Sequence, residues 1–125
     1  MIRTKKSMLT FLVFAVGLLS TAYAQTDGDT ILGKWTNEDK TRVLEFVKAG
    51  TGYDAIIRDA PDQDLIGKKQ LTRMAYSKGI YTGTVLLPKK GKSYPCTLKM
   101  KADSTMELTA KTGFMSKSQV WTRVP

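Results

Sequence analysis

Versatile chemistry in a protein rests on few residue types, and this chain of 125 residues lacks the most adaptable one: it has no histidine, and its single cysteine is Cys96. A general base titrating near neutral pH and imidazole metal ligation are thereby removed. Ser104, Ser116 and Ser118 have no recognisable activating partner, and nothing sets Glu45 and Glu107 opposite each other as an acid/base pair. No glycine-rich phosphate loop opens a helix. The pattern predicts a protein that is not an enzyme and uses no metal or other cofactor.

Three clusters still carry reactive or charged groups. Asp59, Asp62 and Asp64 share one loop with a spacing that loosely matches calcium ligands, but a calcium loop needs about six or more oxygens around a turn glycine. Pro61 interrupts this one and Gly67 lies beyond it, so solvated, turn-forming aspartates are the stronger reading. Lys89, Lys90 and Lys92 surround Gly91 at a hairpin tip, with Lys68 and Lys69 as a second basic pair. Such tips can contact anionic lipid or glycan, although flexible ammonium groups specify poorly and solubility is the plainer role. Cys96 falls on the apolar phase of its segment beside Tyr94 and Leu98. With no cation or helix terminus to stabilise a thiolate, it reads as a small buried hydrophobe.

The segment ahead of these residues carries an address. Arg3, Lys5 and Lys6 precede an apolar run over residues 8–19 and then Ala22-Tyr23-Ala24. This order of basic, apolar and small residues predicts a secretory signal peptide over residues 1–24, cleaved before Gln25. The run is shorter than the roughly 20 residues a membrane-spanning helix needs, so the mature protein is not expected to span a membrane. Cleavage leaves 101 residues, with 17 basic side chains against 11 acidic. A basic protein in an exported compartment meets anionic lipid and acidic polysaccharide rather than nucleic acid.

The elements that position these groups follow from a repeated alternation. Residues 25–30 are polar and read as a flexible lead-in, and a single domain occupies residues 31–125. Eight segments rich in β-branched and aromatic residues follow, at 31–36, 41–49, 53–59, 70–77, 80–87, 93–102, 105–111 and 118–124. In the sixth, Tyr94, Cys96, Leu98 and Met100 fall on one side and Thr97, Lys99 and Lys101 on the other. The seventh repeats this with Met106, Leu108 and Ala110, and Asp103-Ser104 turns between them. Residues 41–47 carry apolar residues on both phases, and residues 64–77 admit a short helix in place of the fourth strand. A sheet of this size must bury one face and hide its edges, which closure into a barrel achieves. The predicted fold is all-β, a small antiparallel up-and-down β-barrel of about eight strands; a flattened sandwich fits the same count.

Gly33-x-Trp35 opens the domain and Trp121-x-Arg123 closes it. This resembles the calycin pattern of lipocalin-like barrels, in which the resemblance implies that Trp35 plugs one end and Arg123 crosses it; a guanidinium stacked on an indole contributes about 0.5–2 kcal/mol. Together with Pro88-Lys89-Lys90-Gly91-Lys92-Ser93-Tyr94-Pro95-Cys96, these residues resemble the exported bacterial family of domain of unknown function 2147 over roughly residues 31–124. The resemblance implies fold and compartment, and almost no biochemistry. Pro95 departs from strand chemistry, since it cannot donate a ladder bond, and implies an edge, a bulge or a first rung.

The expectation for function is a monomeric exported binding module. Its interior, lined by Leu44, Phe46, Tyr53, Ile57, Tyr94, Leu98, Met100, Met106 and Leu108, would take a small apolar or amphipathic ligand. The alternative is a filled barrel that contacts envelope components through Lys89, Lys90 and Lys92. Interior volume separates the two, several hundred Å³ of cavity favouring the first.

Overall fold

A computed structural model describes residues 27–125. The predicted signal peptide and Gln25 lie outside the described residues. Eight antiparallel strands close into one barrel: β1 (Gly33–Asn37), β2 (Val43–Ala49), β3 (Gly52–Asp59), β4 (Lys69–Ser77), β5 (Ile80–Leu87), β6 (Lys92–Ala102), β7 (Thr105–Thr112) and β8 (Met115–Arg123). Each pairs with its neighbour in sequence, and β8 returns to β1 through Trp35↔Arg123 and Asn37↔Trp121. Closure removes both free edges. The small antiparallel barrel of about eight strands anticipated from the alternation is therefore present, in its up-and-down form.

Alternation decides which side chains fill it. Trp35 on β1, Leu44 and Phe46 on β2, Tyr53 and Ile57 on β3, Tyr81 on β5, Leu98 on β6 and Met106 on β7 are all buried to 2% exposure or less, while the intervening positions, buried Asp54 excepted, are half-buried or exposed. β4 breaks the alternation. Its pairing with β5 shifts between Thr72 and Ala75, and Arg73 there has φ 58, left-handed backbone in a residue with a side chain. The bulge is held from both sides. Asp54 accepts from the Arg73 amide (3.2 Å) and Thr72 Oγ1 (3.2 Å) and pairs with Lys69 (3.0 Å). Opposite, Gly83 lets the strands close up, because a Cβ there would lie 2.6 Å from Met74 Sδ and 2.8 Å from two backbone carbonyls.

Several boundaries differ from those expected. Asp27–Ile31 is a 3-10 helix and not a flexible lead-in, with Gly28 and Ile31 buried, so β1 starts at Gly33. Residues 64–77 divide between the two readings: Gln63–Leu65 forms a short 3-10 helix capped by Asp62, and Lys69–Ser77 is strand. β8 begins at Met115, three residues earlier than its apolar content indicated. Pro95 sits where β6 leaves β7, since their pairing starts at Cys96↔Ala110. Pro95 is opposite Thr84 in the β5–β6 ladder and has no partner on β7, so the strand is an edge on that side at this rung, one of the places a proline is tolerated.

Candidate ligand site at the open end of the barrel

The two ends of the barrel are built differently. At one, the 3-10 helix Asp27–Ile31 lies across the opening, and barrel side chains satisfy its carbonyls. Tyr81 Oη donates to Gly28 O (2.6 Å), Trp35 Nε1 to Ile31 O (2.9 Å), and Arg123 to Thr30 O (2.6 Å) and Leu32 O (3.0 Å). Asp29 accepts from Tyr53 Oη (2.6 Å) and pairs with Lys48 (3.0 Å). The Arg123 guanidinium lies 4.3 Å from the centre of the Trp35 ring, the stack expected from the first and last strands. This end is sealed, and the packed layer of Phe46, Tyr53, Tyr81 and Leu98 fills the barrel behind it.

At the other end the filling stops. A cup of about 440 Å³ opens between the β1–β2, β3–β4, β5–β6 and β7–β8 connections. Trp121, Leu108, Val85 and Ala110 form its apolar surface; Arg42, Gln70, Tyr94, Lys117 and Gln119 form the polar one. Beyond Cys96 and Ala110 strands β6 and β7 are no longer paired, and Tyr94 and Thr112 flank the gap at the mouth. Gln70 is buried and bonded at both ends: its Nε2 donates to Leu86 O (2.7 Å) while its Oε1 accepts from Arg42 Nη1 (2.5 Å). The indole Nε1 of Trp121 is buried without a hydrogen-bond partner.

The interior residues expected to line a site therefore separate into groups. Tyr94 and Leu108 line the cup. Leu44, Phe46, Tyr53, Ile57, Leu98 and Met106 do not; they are close-packed core, because the sealed end and the middle of an eight-stranded barrel are just wide enough for side chains to fill. Met100 lies away from the cup, in an open cleft beside the sealed end with Tyr76 and Arg123. Sequence reasoning missed Arg42, Gln70, Val85, Lys117 and Gln119, and gave Trp121 only a structural part. A signal was present: Arg42 keeps phase with Leu44 and Phe46, and Lys117 and Gln119 with Trp121 and Arg123, which turns all of them inward.

Among the signature residues, Gly33 has φ 118 and Gly91 φ 63, conformations that favour glycine. Cys96 is 2% exposed with Sγ 3.9 Å from Met74 Sδ. Burial pushes its thiol up to about 11, which suits the inert hydrophobe expected. Lys89, Lys90 and Lys92 sit exposed on the β5–β6 tip at the open end. Lys89 Nζ pairs with Asp62 (2.5 Å), which also accepts from the Asp64 amide (3.0 Å). Those bonds, the Lys89 one foremost, hold the Asp62 carboxyl below its ordinary range; Asp62 caps the turn as expected, while Asp64 takes part through its main-chain N–H.

Comparison with known proteins places this geometry. The fold is similar to that of a protein from the human pathogen Helicobacter pylori described as belonging to the lipocalin family. That likeness has a TM-score of 0.59 at 17% identity, covering 76% of this chain and 83% of the other. No curated protein matches the sequence. A plug, an eight-stranded wall and a Trp-x-Arg finish thus coincide with a sequence match over residues 33–123, by which the chain belongs to the bacterial family DUF2147, described as an uncharacterized protein conserved in bacteria.

Proposed function

We propose that this protein is an exported, monomeric, non-enzymatic binding protein that takes a small apolar or amphipathic molecule into the cup at its open end. The observation supporting it is the contrast between the ends: the barrel interior is closed at one by backbone and side chains, with only an open cleft of about 760 Å³ on its outside, while at the other it keeps a more enclosed cup of about 440 Å³ with an apolar surface beside a polar one. Ligand sites are typically cavities of about 300–1,000 Å³ with that mixture. The lipocalin-like barrel and the uncharacterised family are both compatible with a binding role.

The test uses N-phenylnaphthylamine, a neutral apolar fluorophore. Its emission should rise on mixing with the protein, and Ala110→Trp, which places an indole in the cup, should abolish the rise while the thermal midpoint stays within a few degrees. A rise that survives Ala110→Trp would place binding elsewhere and overturn the reading.

Export has its own test. Amino-terminal sequencing of the protein recovered from the envelope or medium should begin at Gln25. Protein that retains Met1 and stays in the cytoplasmic fraction would contradict it.

A further inference from the structure

The cup has a sign as well as a shape. Arg42 and Lys117 are among its lining residues, and no Asp or Glu is. We propose that its ligand carries a carboxylate on an apolar chain, and that Arg42 receives the carboxylate with Lys117 drawing it to the mouth; this rests on the reading of the cup as a ligand site.

Arg42 is placed for this by its neighbours. A buried amide with both ends engaged cannot turn, so the Gln70 side chain, fixed by Leu86 O, is a rigid acceptor that holds Nη1 of Arg42. A guanidinium has five N–H donors in a planar fork; holding one nitrogen orients the others without consuming them. Among the described residues Arg42 has no carboxylate within ion-pair distance. The acid that shares its field, Asp62, is already committed to Lys89 and the Asp64 amide. A partly buried arginine that an amide positions and no acid neutralises has donors for an anion.

The wall beside it lacks an acceptor too. Trp121 Nε1 is the one buried side-chain nitrogen or oxygen among the described residues that has no partner, and Trp121 lines this cup. A buried donor left unmade is unfavourable, and a turn of the Trp121 ring toward a ligand's acceptor oxygens in the cup would relieve it. A carboxylate brings two oxygens with about four lone-pair sites. Val85, Leu108 and Ala110 then meet the chain that carries it.

Titration calorimetry of the protein at neutral pH and low salt, with decanoate, decanol and decyltrimethylammonium in separate runs, tests the proposal. Decanoate should bind about tenfold or more tightly than decanol, and decyltrimethylammonium more weakly than either. Arg42→Gln should cost decanoate far more than decanol and bring the two to a common level. Lys117→Gln, at an exposed position, should weaken decanoate about threefold, more than it weakens decanol; it decides the matter if Arg42→Gln does not fold. Equal affinities for decanoate and decanol would overturn the charged-head assignment while the cup reading stood. Binding of neither probe would overturn both.

Discussion

Trp35→Ala is expected to lower the stability of this protein by about 3–5 kcal/mol, the usual cost of emptying a fully packed aromatic site. Trp35 is 0% exposed, its Nε1 donates to Ile31 O, and its ring carries the Arg123 guanidinium on one face. Alanine at this position leaves a cavity at the meeting point of β1, β8 and the 3-10 helix. In a domain of about 100 residues each kcal/mol lowers the thermal midpoint by roughly 4–8 °C, so a calorimetric scan should show a fall of well over ten degrees. Trp35→Phe should recover part of it, since the ring volume returns without the indole N–H. A midpoint within a few degrees of the unaltered protein for Trp35→Ala would mean that the sealed end carries little of the fold.

Arg123→Met should be the next most damaging change, at about 2–4 kcal/mol. The guanidinium donates to Thr30 O, Leu32 O and Asp103 O, and bonds from charged donors are worth about 1.5–3 kcal/mol each in favourable settings. Methionine keeps much of the apolar stem over Trp35 and loses every one of those bonds. Arg123→Lys should rescue little, because a single ammonium cannot reproduce the fork that reaches two carbonyls and stacks on the ring together. The consequence should be local first: amide hydrogen exchange over residues 28–32 should accelerate before that of β6 and β7 does. Uniform acceleration across all strands, or none, would show that Arg123 does not clasp the 3-10 helix.

The asymmetry of the barrel explains what could be read in the sequence and what could not. β6 and β7 were legible because every inward residue from Cys96 to Met100 and from Met106 to Ala110 is apolar or small and the outward ones are polar, so period two is clean. The opening Trp35 and closing Arg123 were legible as a pair because Gly33-x-Trp35 and Trp121-x-Arg123 resemble the calycin pattern, and that resemblance implies the stack the structure shows. β8 was shortened in the reading because Lys117 and Gln119 face the cup, and an inward face that touches water has no reason to be apolar. The cup was hidden for the same reason: hydrophobic alternation marks where a barrel is packed, and it fades where the filling stops. Leu44, Phe46 and Ile57, expected to line a cavity, are packed core outside the cup.

The 3-10 helix escaped for a different cause. Asp27-Gly28-Asp29 has the composition of a loose terminus, and what orders it comes from far along the chain, Tyr81 to Gly28 O and Arg123 to Thr30 O. Local pattern holds no trace of such bonds. Gly28 shows how tight the fit is, since a Cβ there would lie 2.6 Å from Tyr53 Oη. β4 was ambiguous because adjacent Gln70 and Leu71 are both buried, followed by Met74 after the bulge at Arg73. A strand with that irregularity has neither a helical nor a strand period.

Native mass spectrometry of the protein, extracted from its own cells without detergent, tests the central claim most directly. Unaltered protein should carry a non-covalent small-molecule adduct in one-to-one stoichiometry, and Ala110→Trp from the same cells should fly at the bare polypeptide mass. A bare mass for both, or an adduct that persists when the cup is filled by an indole, would contradict the account.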